Sequence, residues 1–192
     1  MSDSDHDREQ GGGASPIYLD HHSTTPLDPR VLEAMLPYLR EDFGNPASTT
    51  HVFGWRAEAA VEEARERIAQ AISARPGEVV FTSGATESNN LALFGAFGSR
   101  GGGHLVSVET EHPAVLDPCR QLERSGTALS LLPVSSEGLI EAGAVEAALG
   151  DETRLVSVMA ANNEIGVLQP IEAIGAICHR AGVLFHCDAA QA

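Results

Sequence analysis

Short apolar segments alternate with helix-length segments from Glu78 to the end of the 192-residue sequence. The apolar segments are rich in valine and leucine, which is typical of strands buried on both faces of a sheet. Because a helix-length segment separates consecutive strands, neighbouring strands are predicted to run parallel. The predicted strands are 79–82, 104–108, 128–132, 155–159 and 183–187, and the predicted helices are 88–97, 115–125, 142–149 and 171–181. The pattern predicts an α/β fold, with a mostly parallel sheet and flanking helices.

The first third of the sequence has a different organisation. Residues 1–15 are acidic and glycine-rich and lack an apolar core, so they are predicted to form a disordered tail and not a signal peptide. A short strand is predicted at 17–19, and a helix begins at Pro29, where Asp28 is the capping acid. A longer helix is predicted at 53–72. Residues 16–192 are therefore expected to form one structural unit.

Charge and cysteine content exclude several classes of protein. The net charge is −15, which repels nucleic-acid phosphates and anionic lipid, so no nucleic acid or membrane partner is expected. No apolar run approaches the roughly 20 residues of a membrane span, and without an export signal the expected compartment is the cytoplasm. Cys119, Cys178 and Cys187 form no CxxC motif and are expected to be reduced, structural thiols.

Polar residues follow several of the predicted strands, where open α/β sheets bind their ligands. Ser83-Gly84-Ala85-Thr86 comes after the first strand and precedes a helix, whose free N–H groups and dipole suit a phosphate. The alternative is a simple capped helix start. His112 follows the second strand, where it is either a capping residue or a ring that faces a flat ligand.

The ends of the last two strands carry further candidates. Asn162 and Asn163 either form a turn or direct an amide towards a ligand. His186 and Asp188 share one side of the final strand, where an aspartate can keep a pyridine nitrogen protonated. The alternative is a metal site, which His21-His22 would have to complete, and no third ligand is specified.

Seven segments match, in order, the motifs of one enzyme family. They are YLD at 18–20, STTP at 23–26, FGNPAS at 43–48, FTSGATESNN at 81–90, TEHPAVL at 110–116, NNEIG at 162–166 and HCDAAQ at 186–191. On these residues the chain resembles cysteine desulfurases of the nitrogen-fixation and iron–sulfur assembly type, in the class V aminotransferase family. The resemblance covers nearly all of residues 17–192.

The resemblance implies a fold-type I large domain that binds pyridoxal 5'-phosphate. It implies that Ala85 and Thr86 contact the cofactor phosphate, and that His112 stacks on the ring and acts in catalysis by moving protons. It also implies that Asn163 and Gln191 lie near the ring hydroxyl and that Asp188 pairs with the ring nitrogen. The implied reaction converts L-cysteine to L-alanine and passes sulfur, as a persulfide, to iron–sulfur scaffold or other acceptor proteins. The implied assembly is a homodimer, and no metal is implied.

The sequence departs from the family in one respect, because all 12 of its basic residues are arginine and none is lysine. In the family a lysine holds the cofactor covalently, and the resemblance places that lysine, the persulfide cysteine and the small domain beyond residue 192. We therefore expect residues 16–192 to be the N-terminal part of the large domain, incomplete at the C-terminus and inactive alone. The alternatives are half of a split desulfurase, a non-catalytic binding module, and a metal hydrolase.

Overall fold

A four-stranded parallel sheet lies at the centre of the computed structural model, which describes residues 16–98 and 102–192. Its strands are β1 (His104–Val108), β2 (Ala128–Leu132), β3 (Thr153–Ser157) and β4 (Leu184–His186), in the spatial order β2-β1-β3-β4. All three pairings are parallel, as the strand–helix alternation predicts. β1 and β2 have the predicted bounds, whereas β3 begins and ends two residues early and β4 is shorter by one residue at each end.

The described part of the chain also contains six α-helices. They are α1 (Pro29–Arg40), α2 (Val52–Ala71), α3 (Ala85–Phe97), α4 (Pro113–Arg124), α5 (Ala142–Ala148) and α6 (Ile171–Ala181). Asp28 caps α1 by accepting a hydrogen bond from the Arg30 backbone N–H at 2.8 Å. Gly182 ends α6 in the left-handed conformation that glycine adopts without steric cost. All six predicted helices are present, with ends that shift by up to three residues. The predicted tail, residues 1–15, lies outside the described residues.

Two predicted strands are wrong, and both lack a partner strand within residues 16–98 and 102–192. Residues 79–82 follow a 3₁₀ turn (Pro76–Glu78) and are extended at Val79, but they join no ladder. The Val79 carbonyl instead accepts a hydrogen bond from the Arg65 guanidinium. Residues 17–19 also form no strand, and Ile17 is 83% exposed. Apolar composition favours an extended backbone, but a strand also needs a neighbour to supply its hydrogen bonds.

The sheet buries both of its faces, each against a different pair of helices. On one face, β1 and β3 residues such as Val106 and Val156 pack with α5 and α6, including Ile174. On the other face, Leu105 and Leu155 pack with α3 and α4. Successive strand residues point to opposite faces, so each strand contributes to both cores. The sheet is therefore the middle of three layers, and this arrangement makes its carboxyl edge the natural place for a ligand.

Two of the three cysteines are buried core residues, as the sequence predicts. Cys119 and Cys178 are fully buried, one in each core. Cys187 was predicted to lie inside the last strand; it lies just after β4 and is half-buried, because regular pairing ends at His186. None of the three forms a disulfide with another described residue. In the described residues, no helix is long and apolar enough to cross a membrane.

Candidate functional site

A cavity of about 340 Å³ opens at the carboxyl edge of the sheet. Its walls come from the N-terminal segment, from the start of α3 and from the loops after β1, β3 and β4. All six residues that the sequence analysis assigns to a ligand line it, namely Ala85, Thr86, His112, Asn163, Asp188 and Gln191. The structure thus brings together side chains that lie up to 106 positions apart in the sequence. Their individual roles towards a ligand stay predictions.

The N-terminus of α3 faces this cavity without a side-chain cap. Its N-cap residue is Gly84, at φ 156°, a region that favours glycine. Ser83 donates from its backbone N–H and its hydroxyl to the Glu87 carboxylate, and these two bonds lower the pKa of Glu87. The first N–H groups of α3 therefore have no capping side chain, and they add the positive end of the helix dipole to the cavity wall beside Thr86.

His112 both caps a helix and lines the cavity. It is the N-cap residue of α4, and its Nδ1 accepts a hydrogen bond from the Ala114 N–H at 3.0 Å. Because Nδ1 is the acceptor, the neutral ring carries its proton on Nε2. The capping interpretation is confirmed, and the cap also fixes the orientation of the ring and its tautomer at the cavity wall.

Asp188 is a buried carboxylate that hydrogen bonds orient on both sides. Its Oδ2 accepts from Asn89 Nδ2 at 2.7 Å, and its Oδ1 accepts from the Ala190 N–H at 3.0 Å. Asn89 is itself buried in α3. No role is predicted for this asparagine from the sequence, although it lies one helical turn after Ala85 and hence on the same face of α3. That spacing is the signal that could have identified it.

Glu111 is a second carboxyl group close to the cavity, and the sequence analysis gives it no function. It is only 4% exposed, and its Oε1 accepts a hydrogen bond from the Met159 N–H at 2.5 Å. Its Oε2 is buried and has no hydrogen-bond partner in the described residues. The pKa of Glu111 is raised to about 8, mainly by burial and also by the negative charge of Asp188, against the lowering effect of the Met159 hydrogen bond. Glu111 is therefore mostly protonated at pH 7.

The two asparagines after β3 have separate roles. Asn162 forms a turn, because its Oδ1 accepts from the backbone N–H groups of Glu164 and Ile165 at 2.8 and 2.9 Å. Its Nδ2 donates to the Thr110 carbonyl at 2.9 Å and so ties this turn to the loop after β1. Asn163 is the asparagine that lines the cavity. The turn interpretation thus holds for Asn162, and the prediction that an amide faces a ligand stays with Asn163.

The N-terminal segment closes one side of the cavity through two long-range hydrogen bonds. His22 Nδ1 donates to the Asn163 carbonyl at 2.7 Å, since a carbonyl oxygen only accepts. Gln191 Nε2 donates to the His22 carbonyl at 2.8 Å. His22 and Ser23 consequently line the cavity although the sequence analysis places neither in the cofactor site.

The metal-site alternative finds no support in the part of the chain that the structure describes. No group of three or more histidine, cysteine or acidic side chains there is arranged to hold an ion. His186 hydrogen bonds to the Ser157 hydroxyl at 2.8 Å, and burial lowers the pKa of its imidazole in spite of the nearby Asp188 charge. His22 Nδ1 donates to a backbone carbonyl, and no group of metal-binding side chains in the described residues includes His21 or His22.

Comparison with known proteins identifies the family. A family model described as aminotransferase class-V matches residues 17–192. The chain belongs to the class-V aminotransferase family. Within this family it is homologous to cysteine desulfurases, as the sequence motifs predict. A cysteine desulfurase IscS from Dechloromonas aromatica (strain RCB) is 55% identical over 180 residues, which are 92% of this chain and 44% of that protein. A cysteine desulfurase IscS from Methylobacillus flagellatus is 58% identical over 181 residues, 93% of this chain and 45% of that protein.

Comparison with a solved structure supports the fold. The structure described as SspA in complex with cysteine superposes with a TM-score of 0.84 at 40% identity and covers 91% of this chain. The chain covers 51% of that structure and less than half the length of the two curated relatives. The predicted α/β class is thereby confirmed over the length that the chain spans.

Proposed function

We propose that the protein containing this chain is a pyridoxal-phosphate-dependent cysteine desulfurase, which converts L-cysteine to L-alanine and passes the sulfur on as a persulfide. The observation that carries this proposal is the meeting, at one cavity, of an uncapped helix N-terminus, an imidazole and an oriented buried carboxylate. The sulfur acceptors would be iron–sulfur scaffold or related proteins, and the complete enzyme would be a homodimer. Residues 16–192 would form the N-terminal part of its cofactor-binding large domain.

The cavity residues fit pyridoxal phosphate in volume and in chemistry. A volume of about 340 Å³ is within the range of small-ligand sites. The start of α3, with Ala85 and the Thr86 hydroxyl, suits the dianionic phosphate. Asp188 suits the ring nitrogen, since a carboxylate favours a protonated pyridine. Asn163 and Gln191 supply the amide groups for the phenolic oxygen.

The bound cofactor would supply an electron sink for bond cleavage at the amino-acid carbon. The residues of this chain would support that chemistry in three ways. Asp188, held by Asn89, would keep a proton on the ring nitrogen. His112 would lie against the ring and move protons at Nε2, the nitrogen that its helix cap leaves free. Thr86 and the start of α3 would anchor the phosphate and so orient the ring.

The lack of lysine makes binding and catalysis separable in this chain. Its 192 residues offer no side-chain amine for covalent attachment of the cofactor. We propose that these residues bind pyridoxal phosphate non-covalently and do not turn over L-cysteine without a lysine from elsewhere in the complete enzyme.

The proposal is tested by titrating pyridoxal phosphate into the purified 192-residue chain and following binding by calorimetry. Asp188→Asn should weaken binding by about tenfold or more, because it removes the charge opposite the ring nitrogen. Asp151→Asn, which alters an exposed acid in a turn, is the matched control and should bind like the wild type. Equal binding by both variants, or no saturable binding by the wild type, would contradict the proposed site.

Covalent labelling and product analysis test the second part. Borohydride reduction of the loaded chain should label at most the N-terminal amine, as read by mass spectrometry of peptides. L-cysteine added to the loaded chain should give no alanine above the rate with free pyridoxal phosphate. Alanine formation well above that background would show that the chain is catalytic without lysine and would refute the separation of binding from catalysis.

A further inference from the structure

His22 is a cavity residue that is held by one hydrogen bond at its ring and one at its backbone carbonyl. It lies in a turn where the Ser23 N–H donates to the Asp20 carbonyl at 3.2 Å. Its own Nδ1–H donates to the Asn163 carbonyl, and its carbonyl accepts from Gln191 Nε2. These last two contacts join the N-terminal segment to the loops after β3 and β4. The ring of His22 is therefore positioned at the cavity by the same residues that face the ligand.

The hydrogen bonds at Nδ1 give the Nε2 atoms of the two cavity histidines opposite hydrogen-bonding roles. In the neutral ring of His112, Nδ1 accepts from the Ala114 N–H, so Nε2 is a donor. In the neutral ring of His22, Nδ1 donates to the Asn163 carbonyl, so Nε2 carries a lone pair and is an acceptor. The cavity thus holds one imidazole that can give a hydrogen bond and one that can receive it.

The neighbours of His22 place it near the reacting end of the cofactor, if the proposed function is correct. Both residues bonded to it, Asn163 and Gln191, are those proposed to face the phenolic oxygen. In pyridoxal phosphate that oxygen is on the ring carbon next to the one that bears the aldehyde. The amino-acid substrate reacts at the aldehyde, so His22 stands on the substrate side of the ring.

We propose that His22 is a substrate-binding residue whose Nε2 accepts a hydrogen bond from the thiol of L-cysteine. This inference rests on the proposed function and deepens it by naming a determinant of substrate choice. An acceptor nitrogen does not pair with the substrate carboxylate, which is also only an acceptor. The substrate amino group is the atom that reacts with the aldehyde. The thiol is the donor that remains for His22.

Two stable conjugates test this role without any turnover. N-(5'-phosphopyridoxyl)-L-cysteine and N-(5'-phosphopyridoxyl)-L-alanine differ only in the thiol, and calorimetry with the 192-residue chain measures the dissociation constants of both. The wild type should bind the cysteine conjugate about five- to tenfold more tightly, as one added hydrogen bond allows. This preference is the quantity that His22 should control.

Two substitutions separate the two ring nitrogens. In His22→Asn, the amide N–H takes the position of Nδ1–H, so the bond to the Asn163 carbonyl and the thermal stability should persist while the thiol preference falls to about onefold. In His22→Gln, the longer side chain carries its amide to the position of Nε2 and retains an acceptor there. It should lose the Asn163 bond, melt at a lower temperature, and keep part of the preference.

The outcomes distinguish this inference from the proposed function. If His22→Asn binds both conjugates with the wild-type preference, the role of His22 is refuted and the cofactor site stands. If the wild type binds neither conjugate, the proposed function fails and the role of His22 fails with it. Long-range ¹H–¹⁵N spectra of the chain without ligand give an independent check, because they should show His22 protonated on Nδ1. Protonation on Nε2 alone would overturn the proposal.

Discussion

The buried, protonated Glu111 carboxyl should make the free energy of unfolding depend on pH, and Glu111→Gln should remove this dependence. Burial raises the pKa of this group from 4.5 to about 8 in the folded chain. Between these two values an unfolded chain has released the proton and a folded chain still holds it. Folding is then linked to proton uptake, so stability is greatest at the acidic end, falls as the pH rises from about 4.5 to about 8, and levels off above that.

The size of the effect follows from the same two pKa values. A pKa difference of this size corresponds to a change of about 5 kcal/mol in the free energy of unfolding. This value is an upper bound, because a buried carboxylate that ionises draws in water. In Glu111→Gln the side chain stays neutral at every pH, and its Oε1 still accepts from the Met159 N–H. The variant should match the wild type within about 1 kcal/mol near pH 5 and exceed it by several kcal/mol near pH 9.

Urea denaturation of both proteins at intervals from about pH 5 to about pH 9 measures this difference directly. Glu109→Gln, two residues away and exposed, is the control and should follow the wild-type profile. The reasoning is refuted if Glu111→Gln keeps the wild-type slope against pH, or if it is less stable than the wild type by the same amount at every pH. The latter result would show that the carboxyl contributes packing or a hydrogen bond and not a titration.

Three further substitutions, two of them paired with a control on the same helix, test the fold around the site by urea denaturation. Asn89→Ala removes the donor to Asp188 Oδ2 and should cost about 1–3 kcal/mol; an unchanged midpoint would show that this bond is not stabilising. Leu93→Ala, in a fully buried position, should lower the free energy of unfolding by about 2–5 kcal/mol. Leu91→Ala, at a residue that is 55% exposed on the same helix, should change it by no more than about 0.5 kcal/mol. Equal losses in the two variants would contradict the assigned core. Gly84→Ala should destabilise the chain by about 1–3 kcal/mol, because the φ of 156° at this position is unfavourable for alanine. Gly95→Ala, within α3, should stabilise the chain by up to about 1 kcal/mol. Stabilisation by both substitutions would show that the N-cap position does not require glycine.

Most of the fold could be predicted because its signals are local. Asp28 and Pro29 mark the start of α1 through the chemistry of one helix turn, and strand–helix alternation alone implies the parallel sheet. The predicted strand at 79–82 failed because its backbone finds no neighbouring strand in the described residues, which composition does not report. The upper end of β3 was misplaced for a related reason. The N–H of Val158 still donates to the carbonyl of His186, the last residue of β4, and the N–H of Ala160 donates to the carbonyl of Asp188, but the regular ladder ends before them.

In the candidate site, some residues could be predicted from sequence motifs, and others could be recognised only from the folded structure. Ala85, Thr86 and Asp188 were found because each is adjacent to the carboxyl end of a strand or to the start of a helix, where a ligand can be reached. Asn89 and Glu111 were not found, because what matters about them is a contact across the fold. Asn89 meets Asp188 99 positions later, and Glu111 meets Met159 48 positions later.

The sequence by itself determined most of the secondary-structure elements, the family and the set of loops that carry the site, because capping, periodicity and motif order are properties of neighbouring residues. The tertiary structure alone decided how those loops act together. It determined which Asp188 oxygen accepts from Asn89, that the Glu111 carboxyl keeps its proton near neutral pH, and which ring nitrogen of His22 donates to the Asn163 carbonyl. Each of these depends on burial and on hydrogen-bond partners that only chain folding brings within reach.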